Sequence, residues 1–207
     1  MLIVEQLNLT NAVSILKNGG LVAFPTDTLY ALGASSSIQS ALERVYEAKG
    51  RPTGMPLPIF VSSAEEIENI AIDIPTAAWD LIDSFWPGPL TIILKRSKAV
   101  SDIITGGGDT VGIRMPDHPI ALELIRSVGS PITGTSANMS GDDNPSSADH
   151  VFKSLGESVD LIIDGGECVS SGASTILDLS SNQPRIIRYG VLLAEDIERV
   201  CPGIIEA

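Results

Sequence analysis

The chain is expected to fold as an α/β domain of three layers, a mixed sheet of about seven strands with helices on both faces. Three observations predict this. Short apolar runs alternate with amphipathic segments, strand after strand ends in a polar loop, and neither a repeat nor a linker breaks the series. A length of 207 residues fits one domain spanning 1–207, long enough to bury roughly 70% of its unfolded surface.

Taken in order, Thr10 is placed to cap a first helix over 11–18, with Leu9, Ala12, Val13 and Leu16 inward. Gly19-Gly20 stops it, because glycine enters the left-handed region without steric cost. Residues 21–24 are all apolar, the pattern of a short strand buried on both faces, and Pro25 ends its pairing. Thr26, Asp27, Thr28 and Tyr30 follow at the carboxyl end of that strand, where open α/β sheets bind ligands. A plain turn that caps a neighbouring helix explains these four residues equally well.

Ser37 can cap a second helix, apolar at Ile38, Ala41, Leu42, Val45 and Ala48 and ended by Lys49-Gly50-Arg51-Pro52. Residues 57–61 read as a strand that Pro58 makes an edge or a bulge. Ser63 with Glu66 forms a capping box for a helix to residue 71, and 76–85 is another helix, stopped by Trp86-Pro87-Gly88-Pro89. Strands are expected at 90–94, 110–114, 132–135, 161–163, 175–179 and 185–189. Helices are expected at 120–128, from a Ser147 cap to 155, and at about 194–200.

Composition narrows the function classes. A net charge of −13 opposes non-specific nucleic-acid binding, which needs Lys and Arg to displace phosphate counterions. No apolar run reaches the ~18 residues of a membrane span, and the first nine residues lack a basic region and a cleavage site, so a cytosolic protein is expected. Cys168 and Cys201 are far apart and have no metal-ligand spacing, so neither a disulfide framework nor a zinc site is indicated.

The few cations are informative. Lys49, Arg51, Arg114, Arg185 and Arg188 all sit in Gly- or Pro-punctuated stretches near strand ends, a candidate anion pocket within an acidic protein. Solvated surface charge is the alternative for any one of them. Thr28, Ser136, Asn138 and Arg188 also stand at strand ends, and hydroxyls beside arginines suit a phosphate together with a carboxylate. Other chemistries fit less well. Gly106-Gly107-Gly108 lacks the Lys-Ser/Thr of a P-loop, and Gly134-Thr135-Ser136-Ala137-Asn138 lacks the last glycine of a nucleophile elbow. Neither His118 nor His150 has a visible orienting partner or metal spacing.

Six ordered blocks carry a resemblance. They are residues 25–33 (PTDTLYALG), Lys49-Gly50-Arg51-Pro52 with Pro56-Leu57, residues 86–91 (WPGPLT), residues 112–119 (GIRMPDHP), residues 136–141 (SANMSG) and residues 174–178 (STILD). Together they resemble the YrdC-like family of threonylcarbamoyl-AMP synthases, collinearly over about residues 12–190.

The resemblance implies a twisted mixed sheet with a large concave pocket, in the cytoplasm and not at a membrane. It implies that L-threonine, bicarbonate and ATP give threonylcarbamoyl-AMP and pyrophosphate, for modification of tRNA by a downstream complex. By carry-over, Thr28, Arg114, the Gly134 backbone and Ser174 hold threonine. Lys49, Arg51, Thr110, Ser136, Asn138, Ser146 and Arg188 hold ATP, with Lys49 and Arg51 at the reacting groups. Mg2+ is expected on the ATP phosphates, without a dedicated carboxylate cage in the protein.

The departures are Ala31 for the usual glycine, Met55 and Phe60 at positions often polar in relatives, and a 142–145 loop one residue longer than usual, which bears on Ser146. Double-stranded RNA binding is the alternative activity. It requires Lys49, Arg51, Arg114, Arg185 and Arg188 to form one stripe. A carbamoyl-transfer module of the same fold is a third reading.

Overall fold

The structure, a computed structural model, describes residues 2–5, 9–168 and 172–205. Strands and helices are numbered in chain order. The first helix, α1 (Leu9–Lys17), contains Thr10 within its first turn, so Thr10 is not the cap expected from its sequence; the three residues before α1 lie outside the described ones. Gly19 takes φ +82° and its N–H donates to Leu16 O at 3.1 Å, which closes the helix.

Strand β2 (Val22–Phe24) is buried throughout and pairs antiparallel with β3 (Ala31–Gly33), a strand the sequence pattern does not reveal because three residues are too few to show a period. The alternation of β2 sorts its side chains. Val22 and Phe24 join the cluster of Leu16, Ala121 and Leu124, while Ala23 joins that of Leu42, Val45 and Val151. Helices α1 and α6 (Pro119–Val128) therefore cover one face of this sheet, and α2 (Gln39–Lys49) and α7 (Ala148–Leu155) cover the other.

Two mixed sheets share the work. The five-stranded sheet runs β1 (Leu2–Glu5), β10 (Leu161–Asp164), β2, β3, β9 (Thr135–Ser136). The seven-stranded sheet runs β12 (Arg185–Arg188), β11 (Thr175–Asp178), β6 (Leu90–Arg96), β7 (Thr110–Arg114), β4 (Ile59–Phe60), β8 (Ile132–Thr133), with β5 (Ala71–Ile72) also on β6. The seven-stranded sheet has the expected size and mixed pairing, but the strands expected at 21–24 and 161–163 belong to the second sheet, which is new.

The strand expected at 132–135 breaks at Gly134, and the chain passes there from one sheet to the other. A Cβ on Gly134 would lie 2.3 Å from the Phe60 ring, so the crossing needs glycine. Strand β4 is interior, between β7 and β8, and not an edge; Pro58 stands just before it, and its carbonyl accepts from Gly134 N at 2.9 Å.

Caps divide similarly. Glu66 accepts from the N–H groups of Ser62 and Ser63, as the capping pattern predicts, but the helix there ends at Ile70 and Ala71 enters β5. Ser147 caps α7 by accepting from His150 N, and His118 caps α6 through Nδ1. Ser37 does not cap α2; its hydroxyl pairs with Ser35 Oγ at 3.0 Å and Ile38 takes the N-cap position.

Candidate functional site

A cavity of about 430 Å3 lies against the outer face of the larger sheet. Strand period two builds its floor. Thr91 and Ile93 on β6 and Thr110, Gly112 and Arg114 on β7 face the cavity, while Ile92, Leu94, Val111 and Ile113 enter the core. The turn between β2 and β3 stands over this floor together with Ser136 of β9, both from the smaller sheet. The Gly134 crossing brings them there.

The turn is shaped by Thr26. Its hydroxyl donates to Leu29 O at 2.6 Å and accepts from Thr28 N and Leu29 N. Tyr30 points the other way; its hydroxyl donates to Gly166 O at 2.7 Å, and burial pushes its pKa up to about 12. Thr28 and Asp27 are left to meet Arg114, which is only 4% exposed. Arg114 donates from Nε to Gly88 O at 2.9 Å, from Nη1 to Thr28 Oγ1 at 2.9 Å and from Nη2 to Asp27 Oδ1 at 2.6 Å, and it lies 5.7 Å from the Phe60 ring centre.

At the other side Arg188 donates from Nε and Nη2 to the backbone oxygen and hydroxyl of Ser174, each at 3.0 Å, and Ser174 Oγ is 2.9 Å from Thr91 Oγ1. Arg51 follows the left-handed Gly50 that ends α2, and its Nη2 donates to Pro56 O at 2.9 Å. Among the described residues neither Arg51 nor Arg188 forms an ion pair. Burial lowers the pKa of both, and neighbouring Arg114 lowers that of Arg188 further.

Eight of the sequence-predicted residues line this one cavity: Thr28, Arg51, Thr110, Arg114, Gly134, Ser136, Ser174 and Arg188. Three stand outside its lining. Lys49 is 1% exposed, and its ammonium donates to the backbone oxygens of Ser136 and Asn138. Asn138 accepts from Ser136 Oγ at 2.7 Å and donates to the Asp142 and Asp143 carbonyls. Lys49 and Asn138 thus brace the Ser136 loop from behind. Ser146 Oγ is 3.1 Å from His150 Nδ1, and Asn144 lines the cavity in its stead, consistent with the longer loop.

Thr91, Asn144 and Phe60 also line the cavity without having been singled out as site residues. Period two on the 90–94 strand was the one signal that pointed to Thr91. Among the described residues no Asp or Glu appears in the lining, although the chain has 26 of them.

Burial, with Arg51 nearby, lowers the Lys49 pKa to about 8. Between that value and the unfolded-chain value of about 10.4 the unfolded state binds the extra proton, so the Lys49 contribution to stability rises with pH. Wild type is expected to gain up to about 3 kcal/mol over Lys49→Met between pH 7.5 and 10.5. Urea unfolding of both proteins measures this; parallel pH curves would show an amine that titrates normally.

A two-sheet α/β domain with an arginine-lined cavity on its larger sheet has the shape and charge that suit small anionic ligands. The chain belongs to the Sua5/YciO/YrdC family, whose model, described as "Telomere recombination", matches residues 14–190. It is 45% identical to the threonylcarbamoyl-AMP synthase of Pyrococcus abyssi over 95% of this chain and 58% of that one. It is 41% identical to the Bacillus subtilis enzyme of that name, over 93% and 56%.

The structure of P. abyssi Sua5 complexed with L-threonine superimposes with a TM-score of 0.96 at 43% identity, over 99% of this chain and 62% of that one. E. coli YciO gives a TM-score of 0.82 at 31% identity, over 90% of each. The chain therefore spans less than three fifths of the length of the P. abyssi and B. subtilis synthases.

Proposed function

We propose that this domain is an L-threonylcarbamoyladenylate synthase, acting in the cytoplasm ahead of a tRNA-modifying complex. One observation carries the reading: in an acidic chain, three arginines and no carboxylate among the described residues line a single cavity. The activity for which its relatives are named, and threonine bound to one of them, support it.

Thr28, Arg114, the Gly134 backbone and Ser174 hold threonine. The Gly134 N–H is already given to Pro58, so its carbonyl is the group left for the ligand. Arg51, Thr110, Ser136 and Arg188 hold ATP, joined by Asn144, while Lys49 and Asn138 keep Ser136 in place. The metal arrives with its substrate as MgATP. On that reading the ATP phosphates supply the ligands of the ion.

The neutral threonine amine forms an N–C bond with bicarbonate, which loses water and leaves a carbamate. A carbamate oxygen then attacks the α-phosphorus, the bond to the β-phosphate bridge breaks, and pyrophosphate leaves. No covalent enzyme intermediate is required. The protein aligns the two substrates, and Arg51 and Arg188 offset the charge on the phosphate oxygens.

Pyrophosphate release from ATP tests the reading and is expected to require both threonine and bicarbonate. Release indifferent to threonine rejects it. The stripe that RNA binding requires does not form, since Lys49 and Arg114 are buried and only Arg51, Arg185 and Arg188 reach solvent. Among the described residues no helix is long and apolar enough to cross a membrane.

A further inference from the structure

We infer that Asp27 is a positioning residue: it fixes the Arg114 fork and cancels its charge, so that one end of the cavity accepts a monoanionic carboxylate and rejects phosphates. The inference rests on the synthase reading and adds how a single cavity tells its two anionic substrates apart.

Asp27 Oδ1 binds Arg114 Nη2 at 2.6 Å and also accepts from Asp117 N at 3.1 Å, so the carboxylate is itself anchored to the chain that enters α6. Gly88 O and Thr28 Oγ1 hold the guanidinium from two other directions. Three of its donors are thereby engaged, one on each nitrogen. One N–H remains on each terminal nitrogen, which matches the two oxygens of a carboxylate.

The pair is buried, with Arg114 and Asp27 side chains 5% and 15% exposed. A buried ion pair is weak evidence for stability, and here it sits beside the cavity, with Arg114 forming part of the lining. Arg51 and Arg188 have no such partner among the described residues. The cavity is therefore cationic at those two residues and neutral at Arg114. A polyphosphate is drawn to Arg51 and Arg188, since its charge finds no compensation at the paired Arg114. A carboxylate needs only the two directed N–H groups.

The test uses Asp27→Asn, which keeps the shape and removes the charge, with inorganic pyrophosphate as the probe against bound threonine. In wild type, saturating pyrophosphate is expected to change the threonine dissociation constant by less than about twofold. In Asp27→Asn the uncompensated Arg114 attracts pyrophosphate, and the apparent threonine constant is expected to rise about tenfold or more. A merely structural role weakens threonine and ATP together and creates no competition.

Asp27→Glu keeps the charge but displaces the fork. It is expected to stay immune to pyrophosphate, with threonine affinity down about fivefold and ATP affinity within about twofold of wild type. That variant carries the test if Asp27→Asn does not fold; equal losses for both substrates, or none for either, overturn the inference. A folded Asp27→Asn without competition overturns it as well. Wild type that binds no threonine rejects the synthase reading instead.

Discussion

Arg51→Ala is expected to lower kcat/KM for ATP by about 10²- to 10³-fold while threonine affinity changes little. Arg51 lines the cavity, has no carboxylate partner among the described residues, and is held at the mouth by Pro56 O. No described carboxylate pairs with it, so its charge is available to the phosphates. A charge-assisted hydrogen bond contributes about 1.5–3 kcal/mol, and one that strengthens as charge builds up on the phosphate oxygens lowers the barrier further. Steady-state pyrophosphate release, with threonine and ATP varied separately, measures the effect. Arg51→Lys keeps the charge but loses the planar fork, and is expected to fall between the two. A rate for Arg51→Ala within about threefold of wild type would remove Arg51 from the ATP site.

Arg114→Ala is expected to act on both stability and binding. It strands Asp27 without its partner, and breaking a buried pair costs about 3–5 kcal/mol. Asp27 retains 15% exposure and one backbone donor, which places the loss at the lower end. For a chain of this size that lowers Tm by about 10 °C. Threonine binding is expected to vanish in calorimetry, while an ATP titration at low temperature remains measurable. Arg114→Ala with unaltered threonine affinity would show that the amino acid lies elsewhere in the cavity.

Much of this site was legible before any coordinates. Most of the cations and hydroxyls that line it stand at strand ends, with Arg51 just past a helix end, and Gly- and Pro-rich punctuation marks those ends in the sequence. Eight of the eleven expected residues meet in the one cavity. The other three show what residue type alone does not convey. Lys49 follows a helix pattern into a position where burial, not solvent, surrounds its ammonium, and two backbone oxygens and the Asn138 side-chain oxygen take its donors. Asn138 and Ser146 lie in polar loops whose internal hydrogen bonds decide which side chains turn inward, and there Asn144 takes the inward place.

Local order set the helices, the longer strands and most of the stops, because apolar period, proline and glycine act over a few residues. Strands β4, β8 and β9 are what pairing leaves of the strands expected at 57–61 and 132–135. The short strands β3 and β5 were decided only by tertiary pairing, since two or three residues carry no period of their own. The same holds for the division into two sheets at Gly134. That division swings the turn of Thr26 to Tyr30 over the floor of β6 and β7, and so makes separate motif blocks into one cavity. The chain itself determined which chemical groups were on offer. Only packing between distant segments decided which of them were left unpaired, because an arginine's partner is a matter of space and not of sequence.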